Sequence, residues 1–185
     1  MHVILQGEKC TLRPLMRDDA RVLAQMVNNP EAREYLQIVF PINDITEEKW
    51  IERLYKSYPQ NDIVYGIVVD GRLVGTVGLH NINWTSRHAT FGIAIWLPEY
   101  FGRGIGTEAT KLMLDYAFDY LGMHRVKLEV YEYNERAIHV YKKLGFVEEG
   151  RWRKQRYLKG KYYDVVLMGI LKEEWQQRRE SGILL

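Results

Sequence analysis

The sequence Leu97-Pro98-Glu99-Tyr100-Phe101-Gly102-Arg103-Gly104-Ile105-Gly106-Thr107-Glu108-Ala109 constrains this chain most. An apolar run enters a glycine-rich turn, and the turn leads straight into an amphipathic helical pattern. Three glycines at alternate positions let the backbone turn tightly and approach a ligand closely. The first N–H groups of the following helix lack internal partners and lie at the positive end of its dipole. Such a turn takes a phosphate or pyrophosphate. The spacing Gly-x-Gly-x-Gly is not the dinucleotide fingerprint. No Lys-Ser or Lys-Thr pair follows, so it is not a P-loop. A plain strand-to-helix turn would use the same glycines, so the rest of the chain must decide.

Periodicity predicts an alternating α and β order. Expected strands are residues 11–15, 63–69, 73–79, 89–97, 126–131, 151–158 and 162–171, with the 89–97 strand buried on both faces. Expected helices are residues 20–27, stopped at Asn28-Asn29-Pro30, and 45–58, ended by Pro59. After the glycines, Ala109, Leu112, Met113, Tyr116, Ala117, Tyr120 and Leu121 form one apolar helix face, ended by Gly122. Asn134 caps a further helix that stops at Gly145. The 185 residues suggest one domain, 1–185.

Composition closes several routes. The net charge of +2 argues neither for nor against an acidic partner, and the one cysteine, Cys10, allows no internal disulfide, which fits the cytoplasm. Cys10 reads as a passive strand residue rather than a nucleophile. No apolar run spans a bilayer, the first eight residues are too soon charged for a signal peptide, and no metal is expected.

The glycine turn together with Asn134-Glu135-Arg136-Ala137-Ile138-His139-Val140-Tyr141-Lys142-Lys143-Leu144-Gly145-Phe146 resembles the GNAT superfamily of acyl-CoA-dependent N-acetyltransferases. The branches it looks most like are the spermidine/diamine and the ribosomal-protein N-terminal acetyltransferases. The resemblance starts at Leu12-Arg13-Pro14-Leu15 and ends in the last hairpin. It implies an α/β (α+β) fold: a mixed, twisted sheet of about six to seven strands, splayed into a V and flanked by about four helices. It also implies acetyl-CoA as co-substrate. Ile95, Trp96 and Leu97 would offer backbone groups to the pantetheine arm. The N–H groups of Phe101, Gly102, Arg103, Gly104, Ile105, Gly106 and Thr107 would hold the pyrophosphate. Asn134 would contact the arm, and Tyr141 would be the general acid. A homodimer is implied too. The family turn usually opens with Gln or Arg where this chain has Phe101, which leaves Arg103 as the substitute side chain.

The chemistry supports Tyr141 independently. Attack of an amine on a thioester expels a thiolate whose parent thiol has a pKa of about 8.5, against about 10 for a free tyrosine. A hydrogen bond from the phenol therefore stabilises the leaving sulfur. Tyr141 also shares a helix face with Ala137 and Leu144, as a core aromatic would. An alkyl amine with a pKa near 10.4 must first lose a proton. His80, Glu99 and Glu129 are the candidate bases, and none is singled out.

The acceptor stays open: a polyamine or diamine, a protein N-terminus, or another small amine. Asp18, Asp19, Glu31, Glu34, Asp44, Glu47, Glu48 and Glu52 crowd the N-terminal quarter, as a polycation would require. The strand Gly75-Thr76-Val77-Gly78-Leu79-His80-Asn81, however, has no acid where polyamine relatives tend to carry them. Residues 151–161 hold six basic side chains and no acid. They read as a solvated edge hairpin rather than a nucleic-acid surface. The competing function is a non-catalytic acyl-CoA sensor, against which Tyr141 argues.

Overall fold

A computed structural model describes residues 4–36, 38, 40–56 and 58–182. The expectation about the chain start falls partly on residues 1–3, outside the described residues. The described residues form eight strands and six α-helices, more than the six to seven strands and four helices expected. They group into two compact units, Met1–Ile82 with Gly92–Met113 and Asn83–Phe91 with Leu114–Leu185.

In the first unit, β1 (Leu5–Gln6), β2 (Thr11–Pro14), β3 (Ile63–Val69) and β4 (Arg72–Asn83) pair antiparallel in chain order. Asp70-Gly71 makes the β3–β4 hairpin turn, with both residues at positive φ. The second half of β5 (His88–Ile95) lies beside β4, where the Trp96 N–H donates to the Val74 carbonyl at 3.1 Å. Here α1 (Ala20–Val27) and α3 (Asp44–Leu54) contribute Leu23, Met26, Val27, Ile51 and Leu54 to one apolar core with Leu15, Val64, Leu73 and Trp96. The α1 bounds match the sequence expectation. Asn28-Asn29-Pro30 stops α1 as expected, with Asn28 as its C-cap, and Asn29 then caps a short α2 (Pro30–Arg33) with Pro30 at its first position. The helix expected to reach Tyr58 ends at Leu54.

β5 is not the doubly buried strand expected: Ala89 and Phe91 are buried, whereas Gly92, Ile93, Ala94 and Ile95 stay half-covered. A 3-10 turn, Pro98–Tyr100, follows it, then the glycines, then α4 (Ile105–Asp115).

In the second unit the first half of β5 runs parallel to β6 (Arg125–Tyr131), and β6 pairs antiparallel with β8 (Lys161–Leu171), which pairs with β7 (Val147–Leu158). α5 (Glu135–Leu144) starts at Asn134 and stops at Gly145 with φ 103°, as expected. The helical run after α4 widens to π geometry over Tyr116–Tyr120, closed by Leu121 N–H to the Tyr116 carbonyl. The wider turn presents both Asp115 and Asp119 to Arg179 of α6 (Lys172–Glu180), a helix the sequence reading missed. Trp175 of α6 is fully buried, and its indole donates to Asp115 at 2.8 Å.

Candidate functional site

In the first unit the glycine turn has the conformation its sequence requires. Gly102 and Gly104 sit at φ 71° and 80°, which L side chains rarely adopt. The first helical bond runs from Glu108 N–H to the Gly104 carbonyl at 3.0 Å. The N–H groups of Ile105, Gly106 and Thr107 therefore precede the ladder and have no helical partner. The Phe101 N–H, in contrast, closes the 3-10 turn onto the Pro98 carbonyl at 3.0 Å. The donors left for an anion are those from Gly102 to Thr107.

The strand before the turn is also differentiated. Trp96 points its N–H at Val74 and buries its indole in the core, 5% exposed. Because backbone polar groups alternate along a strand, those of Ile95 and the N–H of Leu97 face the opposite edge, whereas the Leu97 carbonyl accepts the Tyr100 N–H at 3.0 Å. Of the three residues expected along the pantetheine arm, Ile95 and Leu97 keep groups for it.

Arg103, the expected substitute side chain, makes a contact within the same segment. Its guanidinium stacks on the Tyr100 ring, 5.4 Å from the centroid.

In the second unit, Asn134 and Tyr141 come from one helix. The Asn134 side-chain oxygen accepts the Ala137 N–H at 3.3 Å, which leaves its amide NH2 as a donor. Tyr141, two helical turns on, is 8% exposed. Its ring packs edge-on against Phe91 at 6.1 Å and Phe146 at 5.6 Å. Burial raises the pKa of its phenol, so the hydroxyl stays protonated throughout the working range. A group in that state donates a hydrogen bond and does not act as a base.

The three candidate bases are no longer equivalent. Glu99 pairs with Arg72 at 3.2 Å on the surface. Glu129 lies exposed on β6. His80, on β4, is oriented by a carboxylate: its Nδ1 lies 3.2 Å from Asp62 Oδ1, which also accepts the Asn81 N–H. The other edge of the ring lies against Gly92 of β5, where an added Cβ would come within 3.3 Å of Nε2.

Cys10 is buried, and its thiol is pushed up to about 12 by burial and by the neighbouring Glu108 carboxylate. A buried thiol in such surroundings fits the passive role expected of Cys10.

The acids of the N-terminal quarter divide. Asp19 is held by Arg13 in a two-point pair at 2.7 and 2.8 Å. Glu48 and Glu52 pair with Arg17. Glu47 is 7% exposed, sits on the α3 face that carries Ile51 and Leu54, and its carboxyl is pushed up by burial. The native state therefore keeps this proton to higher pH than the unfolded chain does. Stability falls as pH climbs from the ordinary carboxyl range through the raised value, then levels off. Glu47→Gln is expected to gain thermal stability relative to wild type as pH rises from 4 to 7. Parallel melting curves check this; a Tm difference that stays constant across that range would remove the buried carboxyl as the cause.

The basic 151–161 segment belongs to the expected hairpin and is exposed except at the half-buried Arg156 and Leu158. A bulge at Lys154, with φ 53° and its N–H on Asp164, shapes an open depression of about 670 Å³ lined by Arg151, Trp152, Arg153, Lys154 and Gln155. These five residues are consecutive on one strand.

The acetyltransferase (GNAT) domain pattern matches residues 9–147. Spermidine N(1)-acetyltransferase of Escherichia coli K12 is 33% identical over 176 residues, covering 89% of this chain and 87% of its own. YdaF of Bacillus subtilis, whose name assigns it provisionally to ribosomal N-acetylation, is 31% identical, covering 92% and 95%. Among solved structures, spermidine N-acetyltransferase from Vibrio cholerae in complex with CoA and spermine superposes with a TM-score of 0.84 at 30% identity, covering 92% of this chain and 99% of that one. No helix among the described residues is long and apolar enough to cross a membrane.

Proposed function

Because this chain belongs to the GNAT family of N-acetyltransferases, which use acetyl-CoA, we propose that it transfers the acetyl group to a small primary amine by direct attack in a ternary complex. The observation that carries the reading is the buried Tyr141 on the helix that Asn134 caps. A module that only sensed acyl-CoA would have no use for a proton donor there.

The residues present fit the co-substrate. The open N–H groups from Gly102 to Thr107 bind the pyrophosphate at the helix start. Ile95 and Leu97 align the arm by strand-like hydrogen bonds, and the Asn134 amide donates to it. Acetyl-CoA supplies an activated acyl group as a thioester. His80, held by Asp62, takes the proton from the amine. Tyr141 hydrogen-bonds the departing sulfur and gives it a proton. Its raised pKa and the thiol's ordinary value favour stabilisation of the sulfur by the hydrogen bond before the proton moves.

The acceptor is a primary amine of the kind that spermidine acetyltransferases modify, and the sequence similarity over most of both chains supports this. The same reading takes the chain as one acetyltransferase domain, working in the cytoplasm as a homodimer. Thiol release from acetyl-CoA, measured across spermidine, spermine, diamines, amino acids and short peptides, tests it. Turnover with one amine class is expected. Tight acetyl-CoA binding with no release for any of them would bring the sensor reading forward.

A further inference from the structure

The glycine turn carries a side chain from far away in the sequence. Glu108, in the first turn of α4, accepts the backbone N–H groups of Glu8, Lys9 and Cys10 at 3.0, 2.8 and 2.8 Å. Burial pushes this carboxyl up, but the three N–H bonds and the Cys10 thiol outweigh it and hold it below the usual carboxylate range. It is ionised and committed to the backbone. Gly7 completes the latch, because a Cβ there would overlap the Glu108 carboxylate. The consequence is the position of Lys9. Its Nζ lies 2.8 Å from where a Cβ on Gly104 would stand, directly against the positive-φ glycine at the centre of the turn. Among the described residues no carboxylate pairs with that ammonium, since Glu108 bonds the Lys9 backbone rather than its side chain.

We propose that Lys9 is a cofactor-binding residue: its ammonium, placed over Gly104 by the Glu108 latch, neutralises the pyrophosphate of acetyl-CoA. It supplies a side-chain cation at a turn that opens with Phe101 and whose Arg103 guanidinium lies over the Tyr100 ring. Lys9 acts by direct contact, and Glu108 is a positioning residue acting through it. This rests on the reading that the turn holds the cofactor phosphates.

The test is the dissociation constant of wild type, Lys9→Ala and Glu108→Ala for three probes: acetyl-CoA, its analogue without the 3′-phosphate, and S-acetylpantetheine, which has no phosphate. Lys9→Ala leaves the latch intact, so it reports even if Glu108→Ala folds poorly. It is expected to weaken acetyl-CoA and the 3′-dephospho analogue alike, by about five- to tenfold, as for one charge-assisted hydrogen bond in partial solvent. S-acetylpantetheine is expected to be unaffected, and the difference should shrink at high salt. Glu108→Ala should weaken acetyl-CoA similarly and add little to Lys9→Ala in the double variant. Equal loss on all three probes, or no loss, overturns the role of Lys9. A loss confined to acetyl-CoA moves the lysine to the 3′-phosphate and overturns the pyrophosphate assignment. If wild type binds acetyl-CoA and S-acetylpantetheine equally, the phosphate reading of the turn fails, independently of Lys9.

Discussion

Tyr141→Phe is expected to lower kcat about 10²-fold while leaving the affinity for acetyl-CoA nearly unchanged. The substitution removes one oxygen from a ring packed between Phe91 and Phe146 and leaves those aromatic contacts in place. Phe has no polar atom to bury, so stability should hold or rise slightly. The loss belongs to the transition state, where charge develops on the departing sulfur, and so it appears in kcat and kcat/KM together. Unchanged turnover would take Tyr141 out of the mechanism. His80→Gln gives a distinguishable signature. A base matters only while the acceptor is protonated, so its defect should be largest near neutral pH and narrow as pH approaches the alkyl-amine pKa, about 10.4. The Tyr141→Phe defect should persist across that range.

Gly75→Ala is expected to be the most damaging of the small changes. Gly75 lies on β4 against the second half of β5, and a Cβ there would overlap the Ala94 carbonyl oxygen and come within 3.1 Å of the Ile95 Cα. Both obstacles are backbone, so neither rotates away. The strands must separate, which strains the bond from Trp96 to Val74 and displaces the backbone of Ile95, proposed above to align the arm. A loss of about 3 kcal/mol is expected, or a fall in Tm of about 6–12 °C, together with weaker acetyl-CoA binding. Gly150→Ala is the control. Nothing lies within 4 Å of a Cβ at that position and its φ is not positive, so its Tm should stay close to wild type. Equal melting of the Gly75 and Gly150 variants would refute the close approach of β4 and β5.

Local signals carried much of the fold. α1 and α5 follow from helical periodicity between caps, and Asn134 and Gly145 mark the α5 ends because capping is local chemistry. β1 and α6 were missed. A two-residue strand has no period to detect, and the apolar content of α6 is concentrated in Trp175, whose partner Asp115 stands 60 positions away. The same limit explains β5. Its apolar run reads as buried on both faces, but how much of each face is covered depends on neighbours that the run does not contain.

The amino-acid order alone determined the glycine turn, the helix that bears Tyr141 and the family, because each is written in residues within one or two turns of one another. Its resemblance to the family implied that Phe101 stands where Gln or Arg is usual. Tertiary structure alone decided which cation stands at the turn, which of three bases is oriented and which acid is buried. Lys9 reaches Gly104 across 95 positions because Glu108 binds the backbone around it, and Asp62 meets His80 only because β3 and β4 pair in the register observed. Contacts of that range depend on how strands and turns are placed in space, and no local pattern of side chains encodes them.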